Sequence, residues 1–274
     1  MTRNYLMDEA LFDVLLVFGT ILGLMVGSFL NVVIHRVPRG ESIVYPASHC
    51  PNCDHVIRWW ENIPVLSYLF LRARCSGCGA AISMRYPVVE LLGGLVVLIS
   101  LLEFGLTWSA LAGIVMGWNL IALGMIDFET KTVPDILVLT LGIPGLILSF
   151  LIGSWTGLML SVLSAGILGG FFWLTRKIAN ASFGEEAMGE GDITLVAAIG
   201  VYLHPIFLPM FLLTASVSVL IAALFWAWTK KTSIRDVEIP FGPGLALGGW
   251  VLFVAGKSMM GGLMHLAAPF LNNY

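Results

Sequence analysis

The chain has 274 residues, of which 58% are hydrophobic and 11% charged, and its mean hydropathy is +0.92. An ordinary soluble domain carries about 25% charged residues, so a large soluble fold is excluded, as is disorder. A net charge of −3 gives nucleic acid no electrostatic footing; the composition is that of an integral membrane protein.

In chain order, apolar stretches long enough to cross or enter a bilayer fall near 11–34, 87–106, 108–126, 135–153, 156–174, 193–204, 206–228 and 244–264. The expected fold is therefore an all-α polytopic membrane protein of about eight transmembrane helices. The sixth stretch is short, and if His204-Pro205 only breaks one helix the count is seven. Residues 1–34 read as a retained first transmembrane helix, since no A-x-A cleavage pattern follows the apolar run. Residues 35–86 form a small polar insert, and 87–274 carry the remaining spans.

With eight spans, one face of the membrane receives the loops 35–86, 127–134, 175–192 and 229–243. Those loops hold Arg36, Arg39, Arg58, Arg72, Arg74, Arg85, Lys131, Arg176, Lys177, Lys230, Lys231 and Arg235, leaving only Arg3 and Lys257 of the 14 basic residues elsewhere. By the positive-inside rule this face is expected to be cytoplasmic.

The insert 35–86 is too small for a core of its own and needs a staple. It holds all four cysteines, as Cys50-Pro-Asn-Cys53 and Cys75-Ser-Gly-Cys78. Two C-x-x-C knuckles can place four thiolates around one ion in a closed tetrahedron, so a structural zinc on Cys50, Cys53, Cys75 and Cys78 is expected. Gly77 and Gly79 suit the turn of the second knuckle. Two disulfides are the rival reading, disfavoured in a reducing cytosol. His49 and His55 are near enough to compete as ligands, though surface imidazoles are the plainer reading.

Two acids stand out from the loop carboxylates. Asp127 ends the third span, and Asp192, in Gly189-Glu190-Gly191-Asp192, immediately precedes the sixth. Both are expected at the same depth on the same face, where ionisable groups are functional candidates. Two adjacent carboxylates share one proton, so one can activate a water while the other polarises a scissile carbonyl. The plainer alternatives are that Asp192 caps the sixth helix and Asp127 pairs with Lys131 or Arg176. Asp135 reads as the N-cap of the fourth span, Asn31 and Asn119 equally as groups lining a substrate groove or as interhelical hydrogen-bonding groups, and Arg85 with Glu90 as a snorkelling pair. Phe241-Gly-Pro-Gly244 reads as a re-entrant turn that could pack near Asp192, and the glycine-rich loop 184–191 as a mobile element. Proton relay in a transporter and a metal-stapled scaffold are the rival functions; no internal repeat supports the former.

These residues resemble a family. Gly27-Ser28-Phe29-Leu30-Asn31-Val32-Val33-Ile34-His35-Arg36, the cysteine pairs around Trp60-Glu61-Asn62-Ile63-Pro64, and Arg85-Tyr86-Pro87-Val88-Val89-Glu90 are similar to the amino-terminal half of the type IV prepilin peptidases. Ile126-Asp127, Pro134-Asp135, the Gly-x-Gly-Asp string and Ile239-Pro240-Phe241-Gly242-Pro243 resemble the rest, in the family's order. The resemblance implies a multi-pass inner-membrane aspartic endopeptidase that removes the short basic leader from type IV prepilins and type II secretion pseudopilins. It implies cutting after Gly and before Phe, on the cytoplasmic side, with Asp127 and Asp192 catalytic. Methylation of the new amino terminus with S-adenosylmethionine is implied as a second activity, its cofactor-binding residues unknown. Where the family often has a second Asp two residues after the first, this chain has Glu129.

Overall fold

The computed structural model describes residues 9–183, 189–231 and 240–271. Arg3, Arg235, Ile239 and positions 184–188 of the glycine-rich loop lie outside the described residues. Eight α-helices are present among those described: α1 (Glu9–Arg36), α2 (Leu66–Phe70), α3 (Arg85–Phe104), α4 (Trp108–Thr130), α5 (Asp135–Phe183), α6 (Glu190–Gly200), α7 (Leu208–Lys230) and α8 (Gly242–Leu271). Five helical segments are long and apolar enough to cross a membrane. One of them, α5, contains two of the expected spans: Ser154, at φ 53° and ψ −148°, breaks it where the sequence separates 135–153 from 156–174. Helix α6 has 11 residues, so it rises ~16 Å, about half of a hydrocarbon core.

The amino-terminal pair α1 and α3 runs antiparallel with backbones in direct contact. A Cβ on Gly23 would lie 2.7 Å from the Gly93 carbonyl oxygen, and one on Gly93 would lie 2.8 Å from the Gly27 Cα. Absent side chains on Gly19, Gly23, Gly27 and Gly93 thus form the interface, as expected where lipid removes the hydrophobic drive to associate. Asn31 adds an interhelical bond, its Nδ2 donating to the Tyr86 carbonyl at 3.2 Å. Trp118 Nε1 on α4 donates to Gly93 O at 3.1 Å.

The main core gathers Met116 and Leu123 from α4, Leu141 and Leu168 from the two halves of α5, Leu195 and Ile199 from α6, Phe211 from α7 and Leu245 from α8. Asn119 is interhelical as well, receiving a hydrogen bond from Thr140 Oγ1 at 2.8 Å. Helix α6 is clasped by both halves of α5: a Cβ on Gly200 would meet the Ala165 backbone at 2.9 Å, and Tyr202 Oη donates to Leu141 O at 2.9 Å. The start of α3 is joined to the end of α4 by Arg85–Glu129, and the end of α5 to the start of α6 by Arg176–Glu190. One end of the bundle therefore collects basic residues, Asp127 and Asp192.

Candidate active site and cysteine centre

Asp127 sits in the last turn of α4, 6% exposed. Lys131 closes that helix in the left-handed conformation, its N–H returning to the Asp127 carbonyl at 2.9 Å. The carboxylate turns inward and accepts a hydrogen bond from the Gly242 backbone N–H at 2.8 Å, through Oδ2. Gly242 opens α8, where four N–H groups have no partner within the helix. Donation from a helix N-terminus to a carboxylate is charge-assisted and stabilises the anion. Phe241-Gly-Pro-Gly244 is thus no re-entrant turn beside Asp192: from Gly242 onward it is the first turn of α8, and it holds Asp127.

Asp192 lies in the first turn of α6, one residue ahead of the apolar run. The N-cap of that helix is Gly189, with no side-chain cap hydrogen bond, so Asp192 is not a cap. The absent side chain of Gly191 lets the loop after α4 press against α6, since a Cβ there would lie 2.7 Å from Val133 Cβ. That contact carries Asp192 to the Asp127 end of α4. Burial pushes the Asp192 carboxyl up to about 6, and the charge on Asp127 adds to the shift. The Gly-x-Gly-Asp string therefore positions its aspartate through packing.

The neighbouring acids are occupied otherwise. Glu129 makes a two-oxygen ion pair with Arg85 Nη1 at 2.7 and 2.8 Å. The snorkelling pair of Arg85 with Glu90 is therefore not formed. Glu90 is buried and accepts the Val65 N–H at 2.7 Å. Glu190 pairs with Arg176 at 2.8 Å. Asp135 is the first helical residue of α5, where its charge faces the helix dipole, and the carbonyl of Pro134 accepts the N–H groups of Leu137 and Val138. The signal missed in the sequence is Gly242: the segment was conspicuous, but its partner, Asp127, lies 115 residues earlier.

The four cysteines converge. Their Sγ atoms all lie within 4.8 Å of one another, with Cys50–Cys78 and Cys53–Cys75 both at 3.9 Å, and all four are free thiols. A tetrahedral zinc with bonds of about 2.3 Å sets sulfurs about 3.8 Å apart, so the set fits that ion. Each pair is presented by the same device. Cys50 N donates to His55 O and Cys75 N to Ala80 O, while Asp54 and Gly79, four residues after the leading cysteines, take positive φ. Of the two glycines expected to serve the second knuckle, Gly79 supplies the left-handed turn. Gly77 supplies room, since a Cβ would meet His55 Cβ at 3.1 Å.

Neither histidine is in the thiol cluster. His49 Nδ1 contacts the Ala47 carbonyl at 3.1 Å. His55 Nε2 lies 3.0 Å from Glu61 Oε2 and 3.1 Å from Ser76 Oγ, tying one knuckle to the other. The Ser76 hydroxyl, the Arg58 N–H and His55 hold the Glu61 carboxyl down to about 2. Among the described residues the only β pairings are the isolated bridges His49–Val56 and Arg74–Ala81. A β-α-β nucleotide-binding scaffold is therefore absent there.

Comparison with known proteins gives two matching family models: the bacterial peptidase A24 N-terminal domain over residues 21–104, and the type IV leader peptidase family over residues 114–225. The chain is similar to curated proteins named prepilin leader peptidase/N-methyltransferase. It is 37% identical to that of Stutzerimonas stutzeri over 90% of this chain and 93% of the relative. It is 36% identical to that of Neisseria gonorrhoeae over 88% and 91%, and 37% identical to that of Pseudomonas aeruginosa over 87% and 90%. No solved structure matches.

Proposed function

The chain belongs to the type IV leader peptidase family, and from that premise we propose that it is a membrane-embedded aspartic endopeptidase whose catalytic pair is Asp127 and Asp192. It is a prepilin leader peptidase and N-methyltransferase of the bacterial inner membrane. The finer reading is removal of a short basic leader from type IV prepilins and type II secretion pseudopilins, cut between Gly and Phe at the cytoplasmic face. Arg36, Arg85, Lys131 and Arg176, close to helix ends, supply the positive charge that supports this orientation. The catalytic unit corresponds to 87–274, with 1–34 as an anchor and 35–86 as the metal-binding insert.

The single observation that carries the peptidase reading is geometric: the Gly191–Val133 contact sets the first turn of α6, with Asp192, against the end of α4 that bears Asp127, whose carboxylate a backbone N–H fixes. That N–H stabilises charge on Asp127, which acts as general base on the attacking water. Asp192, whose burial favours the proton, donates to the scissile carbonyl and disperses the charge that develops on its oxygen. As the carbon–nitrogen bond breaks, the proton taken up by Asp127 passes to the leaving amine.

Cys50, Cys53, Cys75 and Cys78 would hold zinc as a closed structural site that staples the insert. S-adenosylmethionine would supply the methyl group for the second reaction; the described residues offer it no recognisable cradle.

The decisive test is cleavage of a purified prepilin by wild type, Asp127→Asn and Asp192→Asn, each checked for fold. Both variants are expected to lose cleavage by at least about a thousandfold. Near-full activity in either removes that residue from the pair.

A further inference from the structure

The insert carries a surface that neither the peptidase chemistry nor the metal centre uses. It centres on the one-turn helix Trp59–Asn62 and on α2. Trp59 is 77% exposed, Leu69 64% and Phe70 82%, with Trp60 and Leu66 also exposed beside them. Arg58 lies over the Trp60 ring, 5.3 Å from its centroid. On a water-facing domain of about 50 residues, so large an apolar and aromatic patch would be a liability.

Its depth explains it. Between the two helices the chain is pinned to the spans at two points. Ser28 Oγ on α1 donates to Asn62 Oδ1 at 3.5 Å, and the Val65 N–H donates to Glu90 Oε2 on α3 at 2.7 Å. Val65 is β-branched and held at φ 62°, a conformation that requires support. Ser28 lies eight residues before Arg36 and Glu90 five after Arg85, so the pins sit ~12 and ~7 Å inboard of those charges. Next to the pins along the chain, Phe29 on α1 and Val88 on α3 are also exposed.

We propose that segment 59–70 is an interfacial membrane element. Its apolar side chains lie at the headgroup–acyl boundary of the leaflet to which Arg36 and Arg85 belong, and its occupant is phospholipid. Trp and Phe with a flanking Arg form the composition that this boundary favours. The insert is thereby held down on the bilayer surface at the mouth of the bundle, and does not extend away into solvent.

The test places the photo-crosslinking amino acid p-benzoylphenylalanine at Trp59 or Phe70 of the full chain. The protein is reconstituted in vesicles of phosphatidylethanolamine and phosphatidylglycerol, and the irradiated chain is weighed intact. Phe18, 68% exposed on the lipid face of α1, serves as reference. The expected result is a phospholipid adduct at both positions, in yield within roughly fivefold of that at Phe18. A lower yield, or adducts formed only with an added prepilin, overturns the proposal. The readout does not depend on peptidase activity, and both substitutions fall on exposed side chains.

Discussion

Gly242→Ala is the substitution that isolates the hydrogen bond on Asp127 from the aspartate itself. Alanine is a better helix former than glycine, so local propensity predicts a small gain. The geometry predicts a loss, because the added methyl would lie 2.9 Å from Asp127 Cγ and 3.0 Å from its Cβ, and closer still to Oδ2. Real Cβ atoms do not approach so near, so the carboxylate must turn away and forfeit the 2.8 Å bond from Gly242 N–H. A hydrogen bond to a charged group contributes about 1.5–3 kcal/mol, which converts to roughly a 10- to 100-fold fall in kcat/KM at 1.4 kcal/mol per decade. Gly244→Ala separates this effect from simple crowding. There the new methyl meets α7, closest to Val219 Cγ2, with Ser218 Oγ 3.0 Å and Ala215 O 3.1 Å away, and it should lower thermal stability while costing the folded enzyme little activity. The assay is prepilin cleavage per folded molecule, with thermal unfolding in detergent alongside. If Gly242→Ala cleaves within about twofold of wild type, the helix N-terminus does not hold the base and the mechanism above loses that element.

Three other outcomes are expected. Cleavage should be bell-shaped in pH, because below both pKa values no base remains and above them no proton is left for the carbonyl. Asp192 loses its proton as pH rises through about 6, which sets the alkaline limb, the macroscopic values belonging to the pair; a profile flat from roughly pH 5 to 9 refutes a coupled dyad. Glu129→Gln should keep cleavage within about threefold and cost at most about 1 kcal/mol of stability, since its ion pair with Arg85 is partly exposed; complete loss of cleavage would move it into the catalytic pair. The purified chain should carry about one zinc, lost in Cys53→Ser/Cys75→Ser, with 37–84 becoming protease-sensitive while helical circular dichroism persists; unchanged zinc content in the variant rejects the cysteine site.

What the sequence makes legible is depth. Lipid selects long apolar runs, so the long apolar helices and the break at Ser154 follow from patterning. Spacing likewise exposes the thiol cluster, because a C-x-x-C knuckle is a local object whose geometry the chain carries with it. What it leaves hidden is rotation, the angle at which each helix presents its side chains to the next. Local rules gave Arg85 to Glu90, five residues away on the same helix, yet Arg85 crosses to Glu129 on α4 while Glu90 turns to Val65 in the insert. The placing of Glu90 depends on how closely the backbones of α1 and α3 approach, and that is set by side chains that are not there, at Gly23, Gly27 and Gly93. The same holds at the active site. Glycine at 191 admits Val133 and so delivers Asp192, and glycine at 242 admits the Asp127 carboxylate against the end of α8. In a bundle without strong hydrophobic drive between helices, the missing Cβ atoms decide which polar groups meet. The glycines are therefore where substitutions should most sharply separate activity from folding.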